Sequence, residues 1–233
     1  MVTVNAMSRR PLALITGASR GIGAAVARAL GHSHELLLGG RDGDALRELA
    51  EELPAATPWA VDLADGAAVA AATRDIETLD VLVHSAGIVE LGAIADAGAE
   101  VWRRHFEVNV IAVAELTRLV LPALRAARGH VVVINSGSGR SANPGRGPYA
   151  ASKFAVRAFA DVLRAEEPEL RVTTVYPGQT ATDMQRGMRA AEGREFEPDK
   201  YLRPESVATA VHNAITTTDD AHPTELILRP RAH

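Results

Sequence analysis

The chain has 233 residues, 47% hydrophobic and 23% charged, which suffices to bury the core of one doubly wound α/β domain and argues against disordered or collagen-like classes. A formal net charge of -4, with both signs interspersed along the chain, argues against a nucleic-acid-binding surface. Cys is absent and the eight His show no metal-ligand spacing, so neither a disulfide framework, a thiol nucleophile nor a metal site is expected.

Residues 1–10 lack the roughly 7–15-residue apolar core of a secretory signal and read as a flexible tail, with Met7 an alternative start. No run of about 18 apolar residues suggests a membrane partner, and a cytoplasmic protein is expected. Apolar bursts of strand length then fall at Leu12–Ile15, Leu36–Leu38, Trp59–Val61, Val81–Val83, Val131–Ile134, Val172–Val175 and Leu226–Leu228. Segments with helical spacing lie between them, at about 21–30, 43–52, 65–77, 101–127, 149–166 and 204–217. This β-α-β-α alternation predicts a doubly wound, parallel-sheet Rossmann-type three-layer sandwich of about seven strands, spanning 1–233 as a single domain. Short, wholly apolar strands fit burial on both faces. Only about 178–203 breaks the pattern, and it reads as a flap beside the substrate.

The first strand runs into Thr16-Gly17-Ala18-Ser19-Arg20-Gly21-Ile22-Gly23 and then an Ala-rich helix. Glycines there allow a tight turn and close backbone approach, while free N–H groups and the helix dipole favour a pyrophosphate. The spacing GxxxGxG differs from the GxGxxG of most dinucleotide folds. It resembles the short-chain dehydrogenases/reductases of classical type, and the resemblance runs from about Leu12 to Leu228.

That resemblance implies cofactor contacts at Gly17, Ser19, Arg20, Gly21, Ile22 and Gly23. After the second strand, Gly40 stands where an acidic partner for ribose would be, followed by Arg41 and Asp42. Arg41 and Arg20 match the family's NADP signature, so NADP(H) is expected over NAD(H), although Asp42 beside Arg41 opposes it. Asp62-Leu63 resembles the adenine-edge contact, with an N-cap the other reading for Asp62. The fourth strand ends His84-Ser85-Ala86-Gly87 where the family usually has Asn-Asn-Ala-Gly. Ser85, Ala86 and Gly87 are still expected beside the cofactor, with altered local bonding but a retained fold.

Tyr149 and Lys153, four apart, share one helical face, and a neighbouring cation together with oxidised nicotinamide would lower the phenol pKa. Such a pair is common on ordinary helices. Ser136 lies thirteen residues earlier at a strand end, and Asn109 interrupts the apolar 101–127 helix. By resemblance, Asn109, Ser136, Tyr149 and Lys153 form the catalytic set, with Tyr149 and Lys153 also touching cofactor, Asn109 helping to hold a water linked to Lys153, and Ser138 a decoy. Tyr176-Pro177-Gly178-Gln179-Thr180-Ala181-Thr182 resembles the turn whose Pro177, Gly178, Thr180 and Thr182 surround the nicotinamide. Hydride transfer between NADP(H) and a small-molecule secondary alcohol or ketone is thus implied, with a catalytically silent NADP(H)-binding sensor the alternative. A homodimer or homotetramer is expected, the ending Glu225–Pro230 fitting less well a tetramer built through that edge. Substrate identity is expected from 88–97, 143–148 and 182–203, where Arg146, Arg186, Arg189 and Arg194 read as a solvated flap or as anion contacts.

Overall fold

In the computed structural model, which describes residues 9–231, seven parallel strands form one sheet in the order β3-β2-β1-β4-β5-β6-β7. The strands are β1 Leu12–Thr16, β2 Glu35–Gly40, β3 Ala56–Ala60, β4 Val81–His84, β5 His130–Ile134, β6 Arg171–Pro177 and β7 Glu225–Leu228. The helices are α1 Gly21–Leu30, α2 Gly43–Glu51, α3 Gly66–Thr73, α4 Ala99–Phe106, α5 Ala112–Ala127, α6 Gly147–Glu166, α7 Asp183–Ala191 and α8 Pro204–Ile215. This is the expected doubly wound, three-layer α/β architecture.

Neighbouring residues of the central strands serve opposite layers, as the two-residue period of a strand requires. Ile15, Leu38, Val83 and Val175 pack with Val26 and Leu30 of α1 and Val207 and Val211 of α8. On the other face, Leu14, Leu82, Val131 and Val133 pack with Leu116 and Val120 of α5 and Val156 and Leu163 of α6. Burial on both sides explains why these strands read as continuous apolar runs.

Three segments depart from the sequence reading. The helix expected over 101–127 is split by a π-helical turn at Glu107–Ile111, which carries Asn109. Such a turn is often found at functional sites. Within 178–203, α7 is capped by Thr182, whose Oγ1 accepts from the Gln185 N–H at 3.3 Å. The third strand starts earlier than expected, at Ala56. Of the expected N-terminal tail, residues 1–8 lie outside the described residues, whereas Arg9 pairs with Asp80 at 2.7 Å.

Candidate active site

The glycine turn is built against the end of β4. The Thr16 hydroxyl donates to the Val83 carbonyl at 3.3 Å and accepts the Ser85 and Ala86 N–H groups, each at 3.1 Å. Gly17 and Gly21 have φ of 67° and 58°, a region that L side chains rarely adopt. A β-carbon on Gly17 would also lie 2.8 Å from the Ala86 nitrogen, and one on Gly23 would overlap the Gly17 carbonyl. One on Gly21 would reach Thr182 Cγ2 at 3.3 Å, so the chain beyond β6 also meets this turn. Arg20, the N-cap of α1, makes no side-chain cap bond to the N–H groups of the first helical turn. Ser19 and Ile22 are half-buried there.

Beyond β2, Asp42 caps α2 by accepting the Ala45 N–H at 3.1 Å, which gives the acid beside Arg41 a structural task. Arg41 is exposed and lines a cleft of about 580 Å³ with Asp62, Ile88 and Val89. Of the two readings for Asp62, the cap falls instead to Asp65, which accepts the Ala68 N–H at 3.0 Å. Asp62 accepts from Ala64 at 3.1 Å and faces the cleft, while Leu63 is half-buried against the core.

Ser136, Tyr149 and Lys153 gather at the carboxyl end of β5. The Tyr149 and Lys153 side chains are buried, and Lys153 Nζ lies 6.0 Å from the Tyr149 ring centre. Nζ donates to the Ile134 carbonyl at 3.2 Å, and burial lowers the ammonium pKa to about 8. Burial raises the Tyr149 pKa, opposed by a hydrogen bond from Ser136 and the charge of Arg146. A neighbouring cation together with oxidised nicotinamide is expected to lower it; the protein's own side chains that pull in that direction are Ser136 and Arg146, and burial outweighs them. Ser138 lies behind the pair, its N–H donating to Ser136 Oγ at 3.1 Å.

Asn109 approaches from the π-helical turn. Its Oδ1 accepts the Ile88 N–H at 2.8 Å, and its Nδ2 donates to the Ile88 carbonyl and to Ser152 Oγ, both at 3.0 Å. Those bonds are a backbone brace. A β-carbon on Gly87 would stand 3.2 Å from Asn109 Oδ1 and 3.7 Å from Lys153 Nζ, so all three meet where the residue must be small.

A model of the short chain dehydrogenase family matches residues 11–193. The chain belongs to the short-chain dehydrogenases/reductases. It is 37% identical over 236 residues to glycine betaine reductase of Emericella nidulans, covering 94% of this chain and 19% of that one. It is also 37% identical over 211 residues to dehydrogenase/reductase SDR family member 7B of Bos taurus, covering 83% and 65%. The chain therefore spans about a fifth of the first relative and just under two thirds of the second. An alcohol dehydrogenase from the archaeon Thermococcus sibiricus, solved with 5-hydroxy-NADP, superimposes with a TM-score of 0.87 at 28% identity, covering 94% of this chain and 96% of that one. The family's oxidoreductases use nicotinamide cofactors.

In this short-chain dehydrogenase/reductase, the turn after β6 is drawn onto β7, the Gly178 N–H donating to the Leu228 carbonyl at 2.8 Å. Thr180 is buried and its hydroxyl donates to the Gly178 carbonyl at 3.0 Å; that of Thr182 donates to Thr180 at 3.3 Å. The following segment is pinned at its base, where Ala181 and Leu202 share a backbone bond of 2.8 Å. Of the four arginines expected as a solvated flap or as anion contacts, Arg146 and Arg189 are half-buried and engaged, whereas Arg186 and Arg194 are exposed. Arg146 and Arg189 both pair with Glu192 at 2.9 Å, and Arg186 stacks 4.2 Å from the Phe196 ring centre. Gly92, Pro144, Arg146, Ala191 and Glu192 line a cavity of about 230 Å³ where all three expected substrate segments meet.

Asn135, which braces the site, escaped the sequence reading. Asn135 donates to the Lys153 carbonyl at 3.0 Å and accepts the Ser136 N–H at 2.8 Å, tying the serine to the lysine's helix. Its place before Ser136 at a strand end was the available signal. His84 is buried and bonds through Nε2 to Thr117 Oγ1 at 2.9 Å. Because that hydroxyl donates to the Val113 carbonyl at 2.8 Å, its oxygen accepts from His84 and the proton sits on Nε2. The expected change of bonding at His84 is thus a brace between β4 and α5.

Proposed function

We propose that this chain is an NADP(H)-dependent oxidoreductase acting on a secondary alcohol or its ketone, with Tyr149 as acid and base. The observation that carries the reading is the clustering of Ser136, Tyr149 and Lys153 at the carboxyl edge of the sheet, beside the glycine turn. Ligands of open α/β sheets bind outside this edge.

The residues present fit a dinucleotide. Left-handed glycines at 17 and 21, Gly23 and Gly87 keep the backbone bare where a ligand would approach, and the first turn of α1 lacks a side-chain cap. Gly17, Ser19, Gly21, Ile22 and Gly23 would hold the pyrophosphate region, with Asp62 and Leu63 at the adenine end. Ser85, Ala86, Gly87, Pro177, Gly178, Thr180 and Thr182 would surround the nicotinamide half. Arg20 and Arg41 would take the 2′-phosphate, a preference supported by the NADP-type ligand of the Thermococcus structure. The bound nicotinamide would supply the hydride chemistry.

The chain's own residues would manage the proton. Ser136 would hold the substrate oxygen, and the Tyr149 hydroxyl would give a proton to it in reduction or take one in oxidation. Lys153, beside the phenol and brought by burial to about 8, would stabilise phenolate in its charged form. Asn109 would hold Ile88 and Gly87 in place next to Lys153 and help keep a water beside it. His84 braces α5 and leaves this cluster intact, so it gives no support to a silent sensor.

Exposed Ile111, Phe154 and Val162, on the π-helical turn and α6, support a homodimer or homotetramer. A cytoplasmic location belongs to the same proposal; among the described residues no helix is long and apolar enough to cross a membrane. The function is tested by following nicotinamide absorbance with a panel of ketones and secondary alcohols, separately with the phosphorylated and unphosphorylated cofactors. Turnover favouring NADPH is expected, with Arg41→Ala raising its KM about tenfold, the worth of one charged hydrogen bond, and barely affecting NADH. No turnover across the panel would refute the oxidoreductase reading, and equal use of both cofactors would refute the preference.

A further inference from the structure

A buried imidazole packs beside the Tyr149 ring. His105 lies on α4, is fully buried, and sits with its ring centre 6.4 Å from that of Tyr149, the planes 68° apart. That is the edge-to-face arrangement aromatic rings prefer, at a separation within the attractive range of about 4.5–7 Å. Both ring nitrogens are occupied by backbone. Nε2 accepts the Glu90 N–H at 3.0 Å, so it carries no proton, and Nδ1 therefore donates to the Val101 carbonyl at 2.8 Å. One tautomer alone satisfies both partners.

Glu90 belongs to the segment that leaves Gly87. Four residues along from His105, Asn109 takes both backbone groups of Ile88. His105 and Asn109, at i and i+4, thus hold alternate residues of Ile88–Glu90 against the α4 and π-turn face that packs on α6. This strip links the Gly87 approach to the wall of the substrate cavity, which begins at Leu91. Ile94 and Trp102 lie within 3.8 Å of a β-carbon placed on Gly147, two residues before Tyr149.

The geometry points to His105 as a positioning residue for the reaction: its Nε2 fixes the Ile88–Glu90 strip and its ring edge fixes the Tyr149 phenol, so that one side chain sets the distance between cofactor-side backbone and the proton donor. It touches no reacting atom. The inference rests on the proposed role of Tyr149. A misplacement of about 1 Å at a reacting centre can cost about a hundredfold, so a side chain on two of its walls has leverage over kcat.

Three variants separate the parts. His105→Phe keeps a ring beside Tyr149 but leaves the Glu90 N–H without an acceptor; His105→Gln restores an acceptor without the ring; His105→Ala removes both. The measurements are kcat and KM with the best ketone, NADPH affinity by fluorescence, the thermal midpoint, and hydrogen exchange at the Glu90 amide. We expect the Glu90 amide to lose at least about tenfold of its protection in His105→Phe and to regain it in His105→Gln. In both variants kcat should fall about ten- to a hundredfold, and further in His105→Ala, while NADPH affinity stays within about threefold. A role confined to stability would lower the thermal midpoint and leave kcat of the folded enzyme unchanged, and that result overturns the proposal. Unchanged Glu90 exchange in His105→Phe overturns it too, whether or not turnover is found. Full turnover in Tyr149→Phe instead brings down the functional reading, while the exchange measurement still decides whether His105 braces the strip.

Discussion

Two buried histidines stand at opposite ends of one strand pair. His84 closes β4 and faces Val133 of β5, while His130 opens β5 and faces Val81 of β4. Each bonds through Nε2 to a threonine hydroxyl, Thr117 at 2.9 Å and Thr173 at 2.8 Å, and each threonine gives its own proton to a backbone carbonyl, of Val113 and Pro223. Burial drives both imidazoles down to about 3. The surroundings differ. The charge that opposes protonation of His84 is Lys153, and the residues following it run into the candidate cofactor turn. His130 is opposed by Arg171 and His222, and its Nδ1 is buried without a partner. Identical residue chemistry thus serves scaffold at one end of the sheet and adjoins the proposed catalytic cluster at the other. Position in the doubly wound sheet, with sites at the carboxyl edge, carries the functional information that residue type does not.

The comparison breaks first if the carboxyl end is not special. Lys153→Met keeps an apolar side chain of similar length while removing the ammonium, and should lower turnover about a hundred- to ten-thousandfold, the usual worth of a group in acid–base catalysis. Cofactor oxidation by the purified variant checks this; near-normal kcat would place Lys153 with the structural histidines.

A smaller effect belongs to the other end. The folded-state pKa of His130, about 3, lies below the ordinary 6.5, so the unfolded chain takes up the proton first. Its stabilisation is therefore present above pH 6.5 and is lost as pH falls from 6.5 towards 3, at up to about 1.4 kcal/mol per pH unit. His84 contributes in the same direction over the same window. Urea unfolding from pH 7 to 4 should show a shallower pH dependence in His130→Asn than in the wild type, with kcat of the folded variant within about twofold. A large loss of kcat in that folded variant would extend the functional region across the sheet.

The two ends were unequally legible in the sequence. The strands showed because burial on both faces leaves continuous apolar runs, as in Val131–Ile134. Gly17, Gly21 and Gly23 showed because a backbone that comes so close to Ala86 and to itself tolerates nothing else, and glycine spacing records that. Tyr149 and Lys153 were visible only beside Ser136, since the same pair occurs on ordinary helices. The π-helical turn left no mark, because apolar spacing runs on through it and only the misfit of Asn109 hinted at a partner. α7 was missed because it is mostly polar, with only Gln185 and Met188 buried, and is held by ion pairs and a threonine cap. His105 gave no signal at all, for its partners are backbone groups of a distant loop, which no local pattern encodes.

The most direct measurement of the central claim is the single-turnover rate of Tyr149→Phe beside the wild type, with NADPH bound and a responsive ketone added. Loss of the hydroxyl should leave cofactor affinity and the thermal midpoint near their wild-type values while the rate falls by about a hundredfold or more. A rate within a few-fold of the wild type, in a variant that binds NADPH normally, would contradict the assignment of Tyr149 as the acid and base.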